Sequence, residues 1–265
     1  MLGTIIGDIV GSRFEWDNIK SKNFYLFTDK SEFTDDSVMT LAVAKALINW
    51  KKTRRQLERN VINQMRSLGR KYPFAGYGGM FSNWLTSSNP RPYNSYGNGA
   101  AMRVSPVAYA ANSIEEVKEL SKRVTAVTHN HPEGIKGAEA TAVAIYLAIC
   151  NTNISEIKEV IVRDYYNIDF TLDEIRDHYY FNETCQETVP QALQAFFESK
   201  DFEDAIRGAV SIGGDSDTLA AICGGVAEAY YGIPKDIKEK AYSYLDAGLI
   251  AIIKEFQIVF GSYDK

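Results

Sequence analysis

The sequence predicts an all-α protein folded as one compact domain over residues 1–265. Apolar residues recur three and four apart through most of the chain. Val38, Leu41, Ala42, Leu47 and Ile48 form one such run, and Ile135, Ala138, Ala142, Ile145 and Ile149 another, the period of a helix with a buried face. The alternating β-branched runs between paired turn signals that mark hairpins are missing, and no strand–helix alternation emerges. A composition 45% hydrophobic and 24% charged suits one core near its upper size limit.

The elements follow in chain order. An apolar first segment carries Gly7 and Gly11 four apart on one helical face, a spacing that lets another helix approach closely. Residues 14 to 33 mix aromatic and polar side chains without a period and read as irregular. A helix begins near Asp35, and the basic run KKTRR at 51 to 55 falls where it ends, answering the C-terminal dipole. Residues 72 to 99 hold five glycines and three prolines, and their aromatic content argues against disorder, so a ligand-facing loop is expected. A helix over AAMRVSPVAYAAN, residues 100 to 112, follows. Ser113, the His131-Pro132-Glu133 step and Asn153 are further helix starts, and about ten helices are expected.

Charge and cysteine usage exclude several function classes. Thirty-four acidic against 29 basic residues give a net charge of −5, which argues against nucleic acid, sequence-specific binding included. Cys150, Cys185 and Cys223 share no short spacing and fit neither a disulfide framework nor a thiolate zinc site. The longest apolar stretch runs from Ala142 to Cys150, against about 20 residues for a membrane span. A soluble cytoplasmic protein without a targeting signal, and a monomer, is the expectation.

Two clusters carry the chemistry. Thr34-Asp35-Asp36-Ser37 and Gly213-Gly214-Asp215-Ser216-Asp217-Thr218 each set two carboxylates and hydroxyls at the start of a helix. Capping explains one acid at each place, whereas the repeated device offers the oxygen-only ligands that Mg2+, Mn2+ or Ca2+ prefer. Four full negative charges outweigh the half charges of two helix N-termini. Glu15, at the mouth of the first irregular segment, is a further candidate carboxylate. Tyr96-Gly97-Asn98-Gly99 precedes a helix and offers backbone N–H groups to a phosphate, without the features of a dinucleotide fingerprint or a P-loop. His129 and His131 form an H-x-H pair, but further zinc ligands are scarce.

GDIVGSRFE, FTDDSVMT, YGNGAAMRVSP, THNHPEGIKGAEATA and SIGGDSDTLAAICGGVAEAYYG stand in that order across nearly the whole chain. Together they resemble the ADP-ribosylglycohydrolase family. The resemblance implies an all-α orthogonal bundle around two Mg2+, with Mn2+ as a substitute, bound by Thr34, Asp35 and Asp36 from one side and Asp215, Asp217 and Thr218 from the other. It also implies that Glu15 lies beside the metals, that Gly97, Asn98 and Gly99 hold the diphosphate, that His129 approaches the distal ribose and that Tyr96 stacks on adenine. His131 maps to no family role and reads as the residue that starts its helix.

The expected activity is hydrolysis of the glycosidic bond between ADP-ribose and an acceptor, with Glu15, Asp35 and Asp36 as catalytic acids and Asp36 or Glu15 taking the proton from water. The substrate is an ADP-ribosylated protein or a small ADP-ribosyl compound, with arginine favoured over serine or ester linkages. Two alternatives are a non-catalytic, crystallin-like binding member and, more remotely, an amidohydrolase built on His129 and His131 in a barrel.

Overall fold

The computed structural model describes residues 1–261; residues 262–265, which the single-domain expectation includes, lie outside the described residues. The chain forms α1 (Leu2–Gly11), a 3-10 turn (Ser12–Phe14), α2 (Asp35–Thr53), α3 (Leu57–Lys71), α4 (Gly79–Thr86), α5 (Gly99–Met102), α6 (Pro106–Ala110), α7 (Ile114–Thr125) and α8 (Pro132–Ile149). There follow α9 (Ile154–Asp164), α10 (Leu172–Arg176), α11 (Cys185–Phe197), α12 (Phe202–Ser211), α13 (Ser216–Tyr231), α14 (Lys235–Tyr242) and α15 (Ala247–Phe260). Among the described residues there is no sheet, and the isolated bridge between Gly97 and Thr184 is the one strand-like pairing. No described helix is long and apolar enough to cross a membrane.

At the centre lies α13, buried over nearly its whole length and packed against α1, α8, α11 and α12. Its alanines, glycines and Cys223 are small enough to let four neighbours approach at once. The closest neighbour is α1, all of whose residues are buried. A β-carbon on Gly7 would stand 2.0 Å from the Ala220 carbonyl oxygen, and one on Gly11 would stand 2.5 Å from the Cα of Asp217. Gly3 makes the same approach to the Gly224 oxygen at 2.2 Å, extending the packing face read from Gly7 and Gly11 by one turn. Backbone touches backbone along this seam, which sets the start of α13 beside the end of α1.

Helix starts read from sequence are present with their caps. Ser113 accepts from the Glu116 N–H, Asn153 from that of Glu156, and His131 from that of Glu133. Lys51 and Lys52 occupy the last turn of α2, and the guanidinium of its C-cap, Arg54, lies 4.5 Å over the Trp50 ring.

The structure corrects two expectations. The stretch 72–99 is not one continuous loop: α4 interrupts it and buries Phe81, Trp84 and Leu85. The helix expected over 100–112 is two short ones, because Pro106 has no N–H to donate and its ring clashes with the carbonyl four residues back, so the chain breaks after Met102 and restarts at Pro106. Short helices of this kind, with α10, raise the number to fifteen among the described residues. They are too brief to display a period.

Candidate active site

The seam between α1 and α13 brings four acid-bearing segments together. From α1, the Asp8 carboxylate accepts from the Thr34 N–H at 2.9 Å, the Thr34 hydroxyl at 2.7 Å, the Ser37 N–H at 3.0 Å and the Ser37 hydroxyl. It thus satisfies two N-terminal backbone donors of α2, while the cap itself is Thr34. The Thr34 hydroxyl accepts from the Asp36 N–H only at 3.4 Å. Asp35 and Asp36 are thereby left over.

The two helix N-termini face each other and exchange threonines. The Thr34 hydroxyl stands 3.3 Å from Asp217 Oδ2, and the Thr218 hydroxyl donates to Asp36 Oδ2 at 3.2 Å. Asp215 occupies the N-cap position of α13 but makes no capping hydrogen bond. It accepts instead from Asn98 Nδ2 at 2.6 Å. Capping therefore does not account for the second cluster. Carboxylate oxygens of Glu15, Asp215 and Asp217 lie within 4.8 Å of one another, and Asp36 Oδ1 is buried without any donor.

The turn before α13 needs its glycines, since Gly213 and Gly214 adopt φ of +69° and +75°, a region strained for other residues. Asn18 clamps it from the first irregular segment, donating to the Gly214 oxygen at 2.9 Å and accepting from the Gly214 N–H at 2.8 Å. Lys20 donates to the Ile212 oxygen at 2.5 Å, at the end of α12.

Electrostatics of the cluster are one-sided. Asp36, Asp215 and Asp217 are buried, whereas Glu15 and Asp35 are half-buried. Burial raises Asp8 and Asp215 to about 6, the latter with help from Glu15 and Asp35. Burial, then Asp217, Asp8 and Glu183, raise Glu15 to about 8. Asp35, Asp36 and Asp217 are pushed well above the usual carboxylate range by burial first, and second by Asp217 for the first two and by Asp215 for Asp217. No lysine or arginine ion-pairs with any of the six among the described residues. A largely buried set of oxygen ligands with an orphaned oxygen and no ion-pair partner among the described residues fits hard divalent cations.

The glycine turn lies next to this cluster. Asn98 joins it to Asp215 and also donates to Thr188 Oγ1 at 3.2 Å, so its side chain is engaged within the protein. The Gly97 N–H donates to Ser95 Oγ at 3.1 Å and the Asn98 N–H to the Glu183 oxygen at 2.7 Å. Of the three backbone donors, that of Gly99 has no internal acceptor among the described residues. A β-carbon on Gly99 would stand 3.4 Å from His129 Nε2, placing this histidine under the turn. Burial, then the Arg103 charge, hold His129 well below its ordinary value, so the ring is neutral.

Tyr96 is exposed at the rim with its ring 5.1 Å from that of His131. His131 is occupied as the cap of α8, and among the described residues it joins no acidic cluster and no barrel is present, which removes the amidohydrolase reading. Beside Glu15, the exposed Trp16 ring stacks on Phe181 at 4.9 Å and 22°.

Sequence reasoning passed over Asp8, Asn18 and the Trp16–Phe181 pair. Asp8 had one signal, a lone carboxylate inside an otherwise apolar segment. The other two depend on contacts across 196 and 165 positions.

The model of the ADP-ribosylglycohydrolase family matches residues 1–260. The chain belongs to the ADP-ribosylglycohydrolase family. Relatives include ADP-ribosylhydrolase ARH3 of Homo sapiens, 23% identical over 95% of this chain and 90% of that one. ADP-ribosylarginine hydrolase Tri1 of Pseudomonas putida is 26% identical over 92% of this chain and 73% of its own length. An uncharacterized protein of Archaeoglobus fulgidus is 35% identical, and there the match spans about half of each chain: 52% of this one and 50% of that one. Among solved structures, an ADP-ribosylglycohydrolase-related protein complex superposes with a TM-score of 0.68 at 21% identity, covering 96% of this chain and 95% of that one, which shows the shared fold. By family the chain is an ADP-ribosyl glycohydrolase.

Proposed function

We propose that this glycohydrolase is magnesium-dependent and releases ADP-ribose from arginine side chains of modified proteins. The observation that carries the reading is the meeting of two helix N-termini whose acids exceed what capping needs and form no ion pair among the described residues. Thr34, Asp35, Asp36, Asp215, Asp217 and Thr218 would hold two Mg2+, with Mn2+ as a substitute. Bound there, the ions supply Lewis acidity and neutralise the cluster.

The chain's own groups do the rest. The glycine turn, with the Gly99 N–H and His129 Nε2 facing it, binds the diphosphate and distal ribose and fixes the anomeric carbon. Tyr96, exposed at the rim, offers a ring to adenine. Glu15, half-buried and next to the exposed Trp16, accepts a proton from the attacking water. The water oxygen bonds to the anomeric carbon as the carbon–nitrogen bond breaks. The departing guanidine takes up the proton that water gave to Glu15, so charge and atoms balance. Neighbouring carboxylates stabilise the oxocarbenium-like state between.

Two observations favour arginine over serine or ester linkages. The Trp16–Phe181 stack beside Glu15 and Glu183 is an aromatic and acidic wall suited to a planar cation. The Pseudomonas putida relative also carries that linkage in its name. The test is release of free ADP-ribose from arginine-linked and serine-linked peptides, each with magnesium and with chelator. Magnesium-dependent release from the arginine peptide is expected. Release from the serine peptide alone overturns the linkage, and release from neither by folded protein returns the chain to a binding role.

A further inference from the structure

Arg103 takes no part in the chemistry above, yet its placement is unusual. It heads the fully buried side chains in size, at 2% exposure, and its guanidinium ion-pairs with no carboxylate among the described residues. A charge so buried is costly unless its donors are used. Nη2 donates to Thr128 Oγ1 at 2.5 Å and to His129 Nδ1 at 3.0 Å, and the guanidinium lies 5.5 Å over the centre of the Phe81 ring. Nε has no partner. Packing alone would be served by an apolar side chain of similar length.

A guanidinium has donors and no acceptor. His129 Nδ1 beside it is therefore the accepting nitrogen, and the proton of the neutral ring sits on Nε2. The Thr128 hydroxyl, 2.7 Å from the same Nδ1 and itself accepting from Arg103, completes the arrangement. Nε2 faces the glycine turn, 3.4 and 3.6 Å from where β-carbons on Gly99 and Gly97 would stand, and finds no protein acceptor among the described residues.

We propose that Arg103 is a positioning residue that fixes His129 as its Nε2–H tautomer, so the ring presents a hydrogen-bond donor to a hydroxyl or phosphate oxygen held over Gly97 and Gly99. The nature of that ligand rests on the ADP-ribosyl reading, whereas the tautomer does not.

Long-range 1H–15N correlation spectra of the full magnesium-loaded chain read the tautomer directly, with His129 assigned by its loss in His129→Asn. The unmodified protein and Arg103→Lys are expected to show Nε2–H, and Arg103→Met a mixed or Nδ1–H ring. The dissociation constant for ADP-ribose, by calorimetry, rises about tenfold in Arg103→Met, the loss of one hydrogen bond, and recovers in Arg103→Lys. An Nδ1–H ring in the unmodified protein overturns the proposal whether or not any variant folds. So does an Arg103→Met protein that keeps both tautomer and affinity. Nε2–H with no ADP-ribose binding by the unmodified protein upholds the role of Arg103 and overturns the ADP-ribosyl reading instead.

Discussion

A single carboxylate, Asp8, decides what the acids around it are free to do. By accepting from the backbone and hydroxyls of Thr34 and Ser37, it anchors the start of α2, whose cap is Thr34, and leaves Asp35 and Asp36 no capping duty. On the proposed reading the adjacent acids serve as ligands, with Glu15 assigned to proton transfer and Asp217 to binding. Glu15→Gln is expected to lower kcat by 10²- to 10⁴-fold while keeping magnesium-induced thermal stabilisation. Asp217→Asn is expected to lose both, since Asp217 lies centrally between Glu15, Asp215 and the Thr34 hydroxyl. Turnover assays paired with melting curves separate the two. A Glu15→Gln enzyme of normal kcat would move the base to Asp36. The TDDS and GGDSDT acids were legible in the sequence because adjacent carboxylates at two helix starts exceed what capping needs. Asp8 was not, because its function exists only once α1 lies against α2.

At the scale of elements, the site depends on α1 and α13 lying closer than helices with side chains between them allow. Gly7 is the tightest point of that seam, with the Ala220 oxygen 2.0 Å from where a β-carbon would stand. Gly7→Ala is expected to destabilise by about 1 to 3 kcal/mol through overpacking, and to reduce turnover even at temperatures where the protein stays folded, because parting the helices separates Asp8 from α2 and α13 from Glu15. Gly78→Ala is the control: nothing lies within 4 Å of its added β-carbon, and neither stability nor activity should change. Melting temperature and activity at low temperature check both, and a neutral Gly7→Ala would mean the seam can open without harm to the site. The long helices and the role of Gly7 and Gly11 were readable because period and spacing survive in the sequence. The split at Pro106 carried its own signal in the proline. The helix α4 did not, because eight residues make barely two turns, too few to show a period within a stretch dense in glycine and proline.

Across the whole molecule, the cluster makes stability depend on pH and on metal together. Unfolded carboxylates titrate near 4, whereas the folded chain without metal raises Asp8 and Asp215 to about 6 and Glu15 to about 8. From about pH 4 to 8 the folded state therefore holds protons that the unfolded state has released, so this contribution to stability is full below pH 4 and is lost as pH rises. Divalent cations reverse the sign. On the proposed ligand set they compete with the Asp215 proton for its oxygens and oppose those of Asp8 and Glu15 through charge, so their affinity for the folded state grows as pH rises. At a hundredfold excess over its dissociation constant, one ion stabilises by about 2.7 kcal/mol, which for a chain of this size corresponds to a rise of roughly 5 to 10 °C in Tm. The difference in Tm between excess magnesium and chelator is expected to widen from pH 5 to pH 8, while carboxylates elsewhere cancel in the difference. An absent gap would mean that no divalent ion binds here and that the two helix N-termini meet for structural reasons alone, whereas a gap equal at both pH values would place the ion away from these carboxylates.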